Sequence, residues 1–565
     1  MKDSNQFNPG QSREENYLCS MKRLAPLLSL FFVGLVGMAQ NLSVDVATIN
    51  YGTVFENLPD SVQVTVTNTA DQSIEVTDLK FFETYGQFPF TTTQGNFTLS
   101  TGQSQSFWVK FTPDHNVIHN SEMVIVTRKS GAFSVDLQGT GRYQSSYYAP
   151  TNDLEEEALK SALKTLLANN YNSLGYNSAR DEMYMVIDNK RVNGQGTAQN
   201  QFESVYIGAT LNGYVSRSNA QNQGYNTEHT FPQGFFSSNE PERSDIHHLF
   251  ITNGVANSTR GNDPFGIVTT PGWSQGGSKQ GGGTFEPRDA QKGPSARAMM
   301  YFVTRYQDYA NHFAPQENIL RQWHADFPPN DIQRQRNEDI FAVQNNRNPY
   351  IDYPQLVDRI TNLVSNSVAP QALSFYLASD TVHFNTLAIG DTGYFDLVLV
   401  NNGNQDLVLS NFAATLTLDQ NLFGLPASPL TLVPGEDLTL NLKFVATSSS
   451  ALNTVLMFNH NLPNSPGVSS VPLVGDVVVN VNDWVLAQPG IEAFPVPASE
   501  LLHLKSTKAI GRVVVADLSG KVWMQERVPG TTTQLDLSSL ASGVYFLQFV
   551  DHAAQKPQRI VVSRQ

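Results

Sequence analysis

Tyr225-Asn-Thr-Glu228-His229-Thr-Phe-Pro232 is followed by Ser244-Asp245-Ile-His247-His248-Leu249, and then by Gly254-Val-Ala-Asn257-Ser-Thr-Arg260-Gly261-Asn262. The first two runs read as strands and the third as a helix start. On that reading a carboxylate, an imidazole and a carboxamide lie across two strands and the beginning of a helix. Metal-assisted phosphodiester cleavage needs that set. A neutral imidazole accepts a proton from water near neutral pH. A hard cation held by oxygen ligands relieves phosphate charge and helps the departing oxygen. Neighbouring strand residues point to opposite faces, so Glu228 and His229 can approach one site only through a bulge or at a strand end. Taken singly, these residues are commonplace. A Glu-His dipeptide is more often surface decoration, and His247 with His248 lacks the helical His-Glu-x-x-His spacing of a zinc site.

Working outward, Leu154 to Leu167 places apolar residues at helical spacing, with Glu155, Glu156 and Glu157 in the first turn where the helix dipole favours them. Ala296 to Tyr306 reads as a buried helix, and Leu320 to Ala325 and Ile332 to Val343 as further helices. Gly276 to Gly283 is glycine-rich, but Lys279 is not followed by Ser or Thr before a helix, so it is no phosphate loop. It is expected to be a flexible surface loop.

Both flanks repeat one pattern. Ile49-Asn-Tyr51 matches Val382-His-Phe384, Val62 to Asn68 matches Phe395 to Asn401, and Gly102 to Phe111 matches Gly435 to Phe444. The offset is constant, and a register held over two distant segments is the mark of a duplicated module. Apolar and polar residues alternate within each copy, as in short antiparallel strands of a β-sandwich. The copies close on Leu137-Gln-Gly139 and Leu473-Val-Gly475. They resemble the immunoglobulin-like modules of the ASPM/SPD-2/Hydin type, and a spacer role is favoured over ligand binding. The expected modules span 41–143 and 372–477.

A chain of 565 residues is too long for one core, and several domains are expected. The net charge of -15 argues against long-range attraction to nucleic acid, although a local basic cleft can coexist with an acidic surface. Between Thr151 and Val364 the balance is 18 basic against 23 acidic residues, so the flanks hold most of the acidity. Lys22 and Arg23 precede an apolar run from Leu24 to Met38, and Gly37-Met38-Ala39 offers small residues for cleavage. The run is short for a bilayer and reads as an export signal over 21–39. Residues 1–20 are expected to be an artefactual extension ahead of a start at Met21. The single cysteine, Cys19, precedes the signal, so the mature chain is expected to have no disulfide, thiolate metal site or cysteine nucleophile.

The tail opens with Phe494-Pro495-Val-Pro497-Ala498, continues through Asp517-Leu-Ser-Gly520-Lys521 and closes on Leu540-Ala-Ser-Gly543-Val-Tyr545. This order is similar to the C-terminal sorting domain of the type IX secretion system of Bacteroidota, placed here at 490–565 as a small β-sandwich. The resemblance implies export by that machinery to the medium or the cell surface, with no transmembrane segment in the mature chain.

The central motifs, joined by Phe285-Glu286-Pro287, Lys292-Gly293, Ala296-Arg297-Ala298-Met299 and Asn346-Arg347-Asn348-Pro349-Tyr350, resemble the endonuclease I family of His-Me finger (ββα-metal) nucleases over about 150–366. The fold this implies is an α+β nuclease core flanked by two immunoglobulin-like sandwiches. Carried over, the family pattern makes His229 the general base and Glu228 and Asn257 ligands of one magnesium ion, with calcium or manganese as alternatives. The implied products carry 5′-phosphates. The family's phosphate-binding arginine falls on Arg243. Asp245, His247 and His248 are expected to support the second strand by hydrogen bonds. Arg260 either fastens the helix start or touches phosphate, and Arg297 either pairs with Glu286 or meets substrate. The implied substrate is DNA, RNA or both without sequence preference, since no base-reading module is visible. Two other readings compete. One is a non-enzymatic surface adhesin, which the intact Glu228, His229 and Asn257 disfavour. The other is a phosphodiesterase acting on small or lipid-linked esters.

Overall fold

The computed structural model describes residues 41–563 except 84, 86, 129–130, 308–309, 415–428, 464–466, 479–490 and 551–557. The expected export signal and the extension before it lie outside the described residues.

The duplicated pattern folds twice in the same way. In the first copy Leu42–Val44, Asp60–Asn68, Ser104–Phe111 and Phe90–Thr92 form one sheet, and Thr48–Phe55, Ala132–Arg142, Ile118–Thr127, Ile74–Lys80 and Phe97–Leu99 form a second. Their inward residues, among them Val64, Val109, Ile125 and Leu137, share one core. The second copy builds sheets of three and five strands around Leu397, Leu442, Phe458 and Leu473. Both copies pair their second sheet's first strand in parallel, Thr48–Phe55 on Ala132–Arg142 and Val382–Ala388 on Val468–Val478. The alternation that suggested strands is therefore also what fills each core, and each fully buried Val or Leu contributes roughly 1.5–3 kcal/mol. A polar detail recurs as well. The Asn68 amide donates to the carbonyls of Gln72 and Leu99, and the Asn401 amide to those of Gln405 and Leu432.

Between the modules lies a mixed α/β unit. Helix α1 (Glu156–Ala168) buries Leu159, Leu163 and Leu167, spaced four apart on one face. It packs on α4 (Asp289–Tyr306), which is buried along most of its length. Its interior position is filled by Ala296, Met299, Met300, Phe302 and Val303, while the buried Arg297 and Arg305 are satisfied by hydrogen bonds. Four more elements build the site beside them. Helix α2 (Tyr176–Glu182) precedes an antiparallel pair, β1 (Tyr225–His229) and β2 (Leu249–Asn253), and α3 (Gly254–Arg260) follows directly. Asn253 starts α3 by accepting from the backbone N–H groups of Val255 and Ala256.

Two expectations need correction. The stretch Gly276 to Gly283 is not a free loop. It lies in a three-stranded meander, Trp273–Gln275, Ser278–Gly281 and Thr284–Glu286. Gly276 has φ +61°, and a Cβ there would come within 2.1 Å of the Ile207 carbonyl oxygen, so glycine serves tight packing rather than mobility. Second, His247 and His248 do not sit on a strand. They form a short 3-10 turn, Ile246–His248, that Asp245 initiates by accepting from the His247 N–H, and β2 begins only at Leu249.

The tail packs sheets of three and four strands around Leu502, Val515, Leu535 and Leu547. No helix of the described residues is long and apolar enough to cross a membrane.

Candidate active site

The pairing of β1 with β2 runs without a register shift from Tyr225 opposite Asn253 to His229 opposite Leu249. No bulge turns Glu228 and His229 to one side, and the two side chains enter different surroundings. His229 instead occupies the last position of β1, the strand end. Thr227, Glu228 and His229 are all buried, so this strand lacks alternation because both of its faces are covered.

Glu228 is 2 % exposed. Tyr206 donates its hydroxyl to Glu228 Oε1 at 2.8 Å, and Arg260 Nη1 lies 3.3 Å from the same oxygen. Burial pushes the carboxyl pKa up, while the Arg260 charge and the Tyr206 bond pull it back. Both contacts use Oε1, and Oε2 takes neither. On α3, which packs against β1, the Asn257 amide nitrogen donates to the Thr227 carbonyl at 3.2 Å. That bond fixes which end of the carboxamide is nitrogen and leaves Oδ1 as an oxygen donor. One carboxylate oxygen and one amide oxygen suit a hard divalent cation, so these residues fit the expected magnesium.

His229 is 6 % exposed, and its Nε2 lies 3.3 Å from the Arg243 carbonyl oxygen. A carbonyl only accepts, so Nε2 carries the proton and Nδ1 holds a free lone pair. Burial draws the pKa down to about 3, and His248, Arg243 and Arg180 add to the effect. The ring is therefore neutral at physiological pH, with Nδ1 as its unprotonated nitrogen.

A feature not anticipated from sequence stands beside it. The Tyr176 ring lies 5.5 Å from the His229 ring, and two guanidinium groups cover Tyr176, Arg180 at 3.8 Å and Arg243 at 4.0 Å from its centroid. Two cations that close must take opposite faces of the ring. Arg180 otherwise donates to the Tyr176 carbonyl and to Asn177, and the Arg243 Nε is buried without a hydrogen-bond partner. Neither forms an ion pair with a carboxylate among the described residues. The Tyr176-x-x-x-Arg180 spacing on a helix was the available sequence signal, but its nearness to His229 is tertiary.

The remaining expected residues are structural in their contacts. Arg260 is buried and donates to the carbonyls of His229 and Thr230, so it ties the end of β1 to the last turn of α3 rather than to its start. Asp245 is fully buried and accepts from Tyr301, Tyr306, Arg305 and Gln344. His247 Nε2 lies 3.0 Å from the Asn346 carbonyl oxygen, and His248 Nε2 lies 2.6 Å from that of Glu242. Arg297 does not pair with Glu286. It donates to the Phe327 carbonyl and to Gln333, while Glu286 pairs with Lys279 and Lys292.

Comparison with known proteins agrees with the central and terminal readings. Residues 155–355 match the Endonuclease I family, and residues 492–563 match the secretion system C-terminal sorting domain. An extracellular ribonuclease of Bacillus subtilis (strain 168) is 34% identical over 167 residues, covering 26% of this chain and 58% of that protein. The chain thus spans little more than half the length of that relative. An extracellular ribonuclease of Bacillus amyloliquefaciens is 28% identical over 237 residues, 38% of this chain and 78% of that protein. Among solved structures, an ASH/PapD-like domain of human CEP192 matches 20% of this chain and 97% of its own length at 9% identity, with a TM-score of 0.18, too low for any structural argument. The chain carries an Endonuclease I domain at 155–355 and a type IX sorting domain at 492–563, the second of which routes it to the medium or the cell surface.

Proposed function

We propose that the protein is a magnesium-dependent endonuclease of the His-Me finger type that cleaves DNA and RNA backbones without sequence preference. His229 takes a proton from the attacking water at Nδ1. Arg243 and Arg180 bind the phosphate through guanidinium groups that no carboxylate among the described residues neutralises. Glu228 and Asn257 would hold the magnesium, which would supply charge stabilisation for the phosphate and for the leaving 3′ oxygen. Cleavage on that side leaves 5′-phosphate ends.

The observation that carries this reading is the bond from His229 Nε2 to the Arg243 carbonyl, because it sets the imidazole in the tautomer a base requires. The pair of arginines beside it supports a phosphate anion as the group acted upon. That both curated relatives are extracellular ribonucleases supports RNA among the substrates. The acidity of the whole chain makes binding depend on a few local cations, so activity is expected to fall with salt. The use that fits an exported enzyme is the breakdown of extracellular nucleic acid for nutrients.

Plasmid DNA and total RNA digested with magnesium or with EDTA, by the wild type and by His229→Ala, test the reading. Loss of cleavage in EDTA and in the variant is expected. Equal cleavage by a folded His229→Ala would refute His229 as the base. No cleavage of any nucleic acid by the folded wild type would refute the activity.

A further inference from the structure

Far along the chain from the nuclease residues, the two repeat modules touch. Phe82, Val124 and Ala132 of the first and Val398 and Val400 of the second close into one buried cluster. Gly131 forms a bridge with Asp396, and a Cβ on it would come within 2.2 Å of the Asp396 carbonyl oxygen. Ser134 donates its hydroxyl to Asp437 Oδ2 at 2.8 Å across the same junction. These contacts bring Asp437, at the start of Asp437–Val445, against Ile118–Thr127 and Ala132–Arg142 of the other module.

Glu122 and Asp136 are direct cross-strand partners there. Each of Glu122, Asp136 and Asp437 offers a carboxylate oxygen within 4.8 Å of the other two. Like charges placed opposite one another on a sheet are destabilising. The module itself does not call for them, because the equivalent pair in the second copy, by the same offset of 333 along the first strand, is Val455 opposite Pro472. Independently of the clustering, Glu122 is 4 % exposed, and its Oε2 is buried with no hydrogen-bond partner among the described residues. A buried carboxylate oxygen left bare is costly unless it is neutralised.

We infer that Glu122, Asp136 and Asp437 form a divalent-cation site, of calcium class, that locks the two repeat modules together. Calcium accepts about six to eight oxygens in a flexible shell and takes carboxylates readily, whereas magnesium demands a near-ideal octahedron and keeps several waters, so three converging carboxylates suit calcium better. Burial and then the charges of Asp136 and Asp437 push the Glu122 carboxyl up to about 10, the strain a cation would relieve. The rival is a proton shared among the acids, which neutralises them without a metal.

The full-length protein, stripped with EDTA and dialysed, is melted and titrated calorimetrically with calcium chloride at neutral pH. Asn257→Ala serves as a second background, so that an ion bound in the nuclease domain is not counted. Calcium should raise the melting temperature in both proteins, with one ion bound per chain in the Asn257→Ala background. Asp437→Asn should weaken that binding at least about tenfold, since ligand charge sets calcium affinity. Glu122→Gln should lose the calcium response while melting higher than the metal-free wild type, because the repulsion is gone. That gain also shows the variant folds. No calcium response in the Asn257→Ala background, or an unchanged response in folded Glu122→Gln, would overturn the site.

Discussion

The nuclease domain uses arginine in two ways, and the contrast separates building from binding. Arg260 and Arg305 are buried and ion-paired, the first with Glu228 and bonded to three backbone carbonyls, the second with Asp245 and bonded to Tyr301. Arg180 and Arg243 stand on the faces of Tyr176, next to His229, without a carboxylate partner among the described residues. A buried charge must be matched to be tolerated. A charge held at the edge of a site and left unmatched gains its partner only when an anion arrives. The same residue type thus fastens the strand pair from below and equips its open end.

Removing a matched arginine should break the fold. Arg305→Met leaves Asp245 buried without its counter-charge and should cost about 3–5 kcal/mol in a urea denaturation, with activity falling only as the folded fraction falls. Removing an unmatched arginine should do the reverse. Arg243→Ala and Arg180→Ala should stay within about 0.5 kcal/mol of wild-type stability. Each should lower kcat/KM by about 10–100-fold, as expected for one charge-assisted donor to a phosphate, with a smaller salt dependence of the rate. A large stability loss in Arg243→Ala would erase the distinction.

A smaller effect should appear with pH. His247 and His248 are drawn down to about 4, by burial first, and so stay neutral in the folded protein while the unfolded chain protonates below about 6.5. Folded pKa values below the unfolded ones mean stability is fully present above that range and is lost as pH falls toward 4. Asp245, held well below the usual carboxylate range against its burial by Arg305, works in the same direction at lower pH. Urea midpoints at pH 7.5 and 5 should therefore differ, the acid one being lower. His248→Asn should narrow the gap.

How far the sequence could be read follows from the range of each interaction. The duplicated modules were legible because strand alternation is local and the offset repeats, down to the paired roles of Asn68 and Asn401. That Glu228 and His229 stand on a strand and Asn257 on a following helix was legible for the same reason, although the two former share one strand. Tyr176 and Arg180 were not, because their approach to His229 is made by packing of α2 across fifty residues of chain. The glycine-rich stretch misled because strands of three and four residues are too short to show a period. Arg297 misled because closeness in sequence to Glu286 does not survive the turn into α4, where Lys292 takes the acid first.

The central claim assigns proton transfer to His229 and metal holding to Glu228 and Asn257, and a magnesium titration of single-turnover cleavage tests it most directly. His229→Ala should show a rate lowered by about 10²–10⁴-fold at saturating magnesium with little change in the concentration needed. Asn257→Ala should shift that concentration upward. A shift of the midpoint by His229→Ala, or an unchanged midpoint in Asn257→Ala, would contradict the assignment.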